Sequence, residues 1–127
     1  MIMIDIKLTL PREKDINREA SYMKQQSGLL YPLSNKPKKA GPGCRVYFIL
    51  CGHLVSRANL IEFRYFSESD KMPILNYDGI DIWHKGWWVK CDGMEALEVP
   101  ITSPGFQGFR YVADQEKEPF ERAFPGA

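Results

Sequence analysis

The chain has 127 residues, 44% hydrophobic and 26% charged, with a formal net charge of +1 at pH 7. That length fits one domain, and that balance excludes intrinsic disorder and any global electrostatic footprint. No stretch approaches the roughly 18 apolar residues that span a bilayer, so no membrane partner is expected.

Residues 2–10 alternate, with Ile2, Ile4, Ile6, Leu8 and Leu10 on one side and Met3, Asp5, Lys7 and Thr9 on the other. The pattern predicts a half-buried strand, and its internal charges do not suit a signal peptide. A helix is expected from Pro11 to Gln26, with Thr9 as candidate cap, acidic residues near its positive end, and Ile16, Ala20 and Met23 as its apolar stripe. Gly28 is its natural stop. Residues 28–43 hold three prolines and three glycines and read as a loop. Lys36, Lys38 and Lys39 make it the densest basic run in the chain.

From Cys44 onward the reading is β. Val46, Phe48 and Leu50 alternate with Tyr47, Ile49 and Cys51, so both faces are apolar, as in a central strand. A tight turn at Gly52-His53 would set Phe48 opposite Arg57, and the return strand slips phase near Leu60-Ile61, where a bulge is expected. Asp78-Gly79, Lys85-Gly86 and Asp92-Gly93 then recur at seven-residue intervals, predicting a meander of tight hairpins from Leu75 to Ile101. In that register Trp83 faces Trp88, and Lys90 faces Glu95. The segment GFQGFRYV ends in a short strand, and the acidic tail from Asp114 is expected to pack loosely or fray. No domain boundary interrupts residues 1–127, which read as a single domain.

Lys39 to Leu60 (KAGPGCRVYFILCGHLVSRANL) resembles a segment of PUA-like domains, the superfamily that includes the ASCH and EVE/YTH-type modules. The order of strand, helix, basic loop and curved strands is similar to that superfamily too, and GFQGFRYV resembles a segment of small phage-type and prophage-type proteins. The resemblance implies an α+β, β-dominated fold, a small barrel with one early helix, and a cleft used for RNA or for flipped, modified bases. The Gly-x-Lys-x-x-Glu-type signature expected near the start of ASCH domains does not appear, so their hydrolase chemistry is a second alternative.

Nucleic-acid binding needs cations for phosphates and aromatic faces for bases. Residues 1–45 carry a net +5 and the remainder a net −4, which places the candidate anion-binding face early in the chain. Lys36, Lys38, Lys39 and Arg45 are the phosphate candidates. Trp83 or Trp87 is the stacking candidate, with Gln107 and Arg110 placed to contact a base, and Trp88, Phe106 and Tyr111 are further aromatics. Burial in the core competes for every tryptophan. A phage-type protein-interaction module, blocking a host complex, is the other alternative. Catalysis has thinner support: His53 and His84 flank turns without a nucleophile beside them, and Glu62 and Glu98 lie on strands. Cys44, Cys51 and Cys91 lack Cys-x-x-Cys spacing, so neither metal nor cofactor is expected, and an odd count suits a reducing, cytoplasmic compartment.

Overall fold

A computed structural model describes residues 2–70 and 85–124. Over these residues the fold is α+β and β-dominated: six strands in one mixed sheet, with a helix on each face. The strands pair in the order β2-β5-β4-β3-β1-β6.

Strand β1 (Ile6–Thr9) forms where the sequence alternates, but it is shorter than expected and Ile2 stays exposed. It lies parallel to β3 (Arg45–Leu50) and antiparallel to β6 (Phe109–Tyr111). It has a strand on each side, and both of its faces are buried. Ile6 and Leu8 enter one core and Lys7 is buried on the opposite face.

Helix α1 (Ile16–Gln26) starts five residues later than Pro11. The Asp15 carboxylate accepts from the Asn17 and Arg18 N–H groups at 3.0 and 3.2 Å. That is the stronger cap, because two orphan donors share one charged acceptor. Pro11 instead opens a turn in which the Lys14 N–H donates to the Pro11 carbonyl at 3.1 Å. The Thr9 hydroxyl, expected as a cap, accepts from the Phe106 N–H. Ser27 (φ 57) and Gly28 (φ 120) close the helix, both in the left-handed region.

The segment expected to be wholly loop contains β2 (Leu29–Pro32), which pairs antiparallel with β5 (Gly86–Thr102) at one end of the sheet. A proline is tolerated at such an edge. The turn between β3 and β4 (His53–Phe66) falls at Cys51-Gly52, one residue before the expected position. Both residues have positive φ (51 and 76), the requirement of a type I′ hairpin. Leu50 therefore faces His53, and an extra residue at Val55 sets Phe48 opposite Ser56, not Arg57. The phase slip read near Leu60-Ile61 is present as a register shift between Leu60 and Glu62 against β5.

The expected meander is replaced, over the described residues, by one long strand. β5 runs through Asp92-Gly93 without turning and pairs with β4 from Phe66↔Gly86 to His53↔Thr102. Gly93 (φ 67) sits in a bulge, a second setting that asks for the same backbone conformation as a hairpin turn. Lys90 accordingly faces Glu62, and Glu95 faces Arg57. The Asp78-Gly79 turn and Trp83 fall outside the described residues, and with them the Trp83–Trp88 pair.

The acidic tail is also ordered over its described length. Helix α2 (Asp114–Arg122) buries Phe120, and Phe124 follows at its end. Both ring systems join Tyr47, Ile49, Leu54 and Val112 in a core on one face of the sheet. Glu116 fixes the helix start twice. Its Oε1 accepts from the Ala113 N–H at 3.0 Å, and its Oε2 pairs with the buried Lys7 ammonium at 2.6 Å. The larger core, on the α1 face, gathers Ile6, Leu8, Met23, Tyr31, Val46, Phe48, Leu60, Val89 and Cys91.

No backbone ladder joins β2 to β6 among the described residues. What links the two ends of the sheet is the basic loop. It leaves β2 with the Leu33 N–H donating to the Trp87 carbonyl. Ser34 passes so close to Gly108 that a Cβ there would lie 3.0 Å from its Oγ. The Lys39 N–H then donates to the Tyr111 hydroxyl, and the Lys39 carbonyl accepts from Ile4. Leu33, Ala40 and Cys44 pin the same loop into the larger core.

Candidate nucleic-acid interface

The loop's apolar residues are drawn inward, so its lysines have nowhere to go but water. Lys36, Lys38 and Lys39 are all exposed. None has a carboxylate within ion-pair distance among the described residues, whereas Lys7, Arg45, Arg57, Arg64, Lys85 and Arg122 are all paired with glutamates.

Lys36 and Trp87 come together. The Lys36 ammonium lies 5.2 Å from a Trp87 ring centroid, within the range of a cation held over an indole face. Trp87 packs half-buried against the larger core. Directly across the sheet, Tyr65 meets its ring at 5.2 Å and 63°. Tyr65 is 58% exposed, one of few large aromatic surfaces offered to solvent. Cation, indole and phenol thus share one face at the end of the β4–β5 ribbon.

Of the other candidates, Arg45 does not join this group. Strand alternation puts its side chain with Tyr47 on the α2 face, and its Nη1 donates to Glu95 Oε1 at 3.2 Å. Glu95 also holds the Nε of Arg57 at 3.1 Å, so Arg45 belongs to a three-residue ion cluster. Arg110 is exposed on β6, its Cζ 5.1 Å from the Phe106 ring, which the Lys7 ammonium also faces at 5.4 Å. Gln107 is exposed beside Gly108, where the loop passes. Trp88 is fully buried, as the competing reading of the tryptophans requires.

Tyr65 was not among the residues singled out from sequence. Its signal is the alternation of Ile61, Phe63 and Tyr65, which only becomes a site once the register sets Tyr65 across from Trp87. Arg57 was also missed: an arginine 2% exposed, its Cζ 4.5 Å from the Phe124 ring.

The groups weighed for catalysis are dispersed. His53 is the exposed first residue of β4, with Nδ1 3.0 Å from the Cys51 carbonyl. Glu62 accepts from Arg64 at 2.7 Å, while Glu98 lies towards the other end of β5. His84 is outside the described residues. Burial pushes the Cys91 thiol up, and burial likewise pushes the Tyr47 phenol up, with the nearby Arg57 guanidinium opposing it. Ser67 holds Asp70 below its ordinary value through a backbone and a hydroxyl hydrogen bond. No group of three or more His, Cys, Asp or Glu is placed to hold a metal among the described residues. Nor is any described helix long and apolar enough to cross a membrane.

Compared with known proteins, the chain matches no family model, no curated protein and no solved structure.

Proposed function

We propose that the protein binds nucleic acid, RNA or DNA, along the loop that carries Lys36, Lys38 and Lys39. The observation that carries this reading is Lys36 poised over Trp87 beside the exposed Tyr65. Phosphates need unpaired cations, and bases need an aromatic surface at hand. This is where the chain offers both on one face.

The loop's backbone is tied to β5, to β6 and to the start of the chain. Its lysines therefore project from a fixed path, and little backbone entropy is lost when a ligand docks. Gln107, beside the Gly108 crossing, extends the polar surface towards β6, whereas Arg110 points with Lys7 and Phe106 to the α2 face and lies outside it.

The test is fluorescence polarisation of labelled RNA and DNA, single-stranded and duplex, at low and near-physiological salt. Replacing Lys36, Lys38 and Lys39 together with Ala is expected to weaken binding by at least about tenfold. All three are exposed, so the unfolding midpoint should stay where it was. Unchanged affinity in the triple variant overturns the assignment of the loop.

A further inference from the structure

We infer that the ligand of this site is a short single-stranded segment, with one unpaired base stacking where Lys36 now covers Trp87. This rests on the nucleic-acid reading above and narrows it.

Two independent features support it. The first is that the Trp87 face is already in use. An ammonium 5.2 Å from the ring centroid stands in the position a stacked base would take. A base arriving there must displace Lys36, and the freed ammonium is then close to the phosphate of that same nucleotide. Stacking and charge neutralisation become one event. Tyr65, edge-on to Trp87 and exposed, walls the position on one side. A duplex presents no free base face without unpairing, so the exchange selects a single strand.

The second is the extent of unpaired positive charge. From Lys36 to Lys39 the chain reaches at most about 10 Å. At one lysine per phosphate, the run serves about three phosphates. Beyond Trp87, at the start of β5, the described cation on hand is Lys85, and it pairs with Glu68. Among the described residues that pair leaves no uncompensated cation to continue the track past Trp87. The run of three lysines therefore sets a short footprint.

The experiment is a length series of oligouridine and oligothymidine, from two to sixteen nucleotides, with a sixteen-base-pair duplex beside it, titrated at several salt concentrations. Affinity is expected to rise to about four nucleotides and then level off, apart from the gain from multiple registers. The slope of log K against log salt should be about −2, as three single-strand phosphate contacts predict. Lys36→Met removes one of these and should make the slope shallower by about 0.7. Binding should quench tryptophan emission, and Trp87→Phe, which keeps an aromatic face, should abolish the quench while preserving most of the affinity.

Equal or tighter binding of the duplex would overturn the inference and leave nucleic-acid binding standing. So would affinity that climbs steadily to sixteen nucleotides, or a quench that survives Trp87→Phe. Failure to bind any of these ligands at low salt would remove the nucleic-acid reading itself. Lys36→Met and Tyr65→Ala change exposed side chains, and a Tyr65→Ala variant that folds yet binds with unchanged affinity would discard the stacking wall.

Discussion

The guanidinium of Arg57 lies against the Phe124 ring and donates to a single carboxylate, Glu95, which also serves Arg45. Removing that carboxylate leaves a buried charge without its partner, which is costly even though Glu95 itself is partly exposed. Glu95→Ala should lower the unfolding free energy by about 2 kcal/mol in a denaturant titration, discounted from a fully buried pair for solvent screening. Tyr47, packed between Phe120 and Phe124, has a buried hydroxyl with no hydrogen-bond partner among the described residues. Tyr47→Phe should thus be close to neutral or stabilising, within about 1 kcal/mol, because only an unmade bond is lost. Tyr47 and Cys91 both have folded-state pKa values above their ordinary 10.0 and 9.0. The unfolded chain releases these protons first, so the associated stability is complete below about pH 9 and is lost as pH rises beyond it. Urea midpoints measured from neutral to strongly alkaline pH should show that fall, and Tyr47→Phe should flatten its upper part. At this scale the site was partly legible. Lys36, Lys38 and Lys39 lie in a segment rich in proline and glycine, and such a segment stays at the surface with its charges solvated. Arg45 was misplaced because its charge is cancelled by Glu95, a partner fifty positions away that only the strand register reveals.

Elements were recovered where period and burial agree. β3 was read as a central strand, and β1 and α1 were found with displaced ends, because both flank a turn and a cap whose chemistry competes with simple alternation. β2 was invisible: four residues are too few to show a period, and an edge strand draws its order from β5. Asp92-Gly93 misled for a physical reason, since a positive φ serves hairpin turns and bulges alike. At Gly93 an added Cβ would also meet the Asn59 amide nitrogen at 2.9 Å. Gly93→Ala should therefore cost about 1–2 kcal/mol, from backbone strain and crowding together, read as a drop in thermal midpoint. Helix α2 was hidden by its polar sequence and Pro119, yet two rings and one ion pair suffice to seat it. A nine-residue helix is not stable alone. Phe120→Ala should cost about 3 kcal/mol and weaken amide-exchange protection throughout α2 more than in β3.

Across the whole molecule, the sheet is a partition with a large core under α1 and a smaller one under α2. The basic loop runs along the α1 side and ties the two ends of the sheet together. That long-range arrangement could not be read from local pattern, because it depends on which strands are neighbours rather than on what each strand looks like. The strand order carries a kinetic consequence. β1, the first strand in chain order, is flanked by β3 and by β6, the last. During synthesis its outer edge has no partner until residues 109–111 have emerged, and Lys7 has no counter-ion until Glu116 follows. The apolar edge of Ile6 and Leu8 is open throughout that interval, which makes the nascent chain prone to mispairing and its folding slow for its size. Refolding of the purified chain should accordingly show recovery of β1 amide protection in the same phase as α2, not ahead of it.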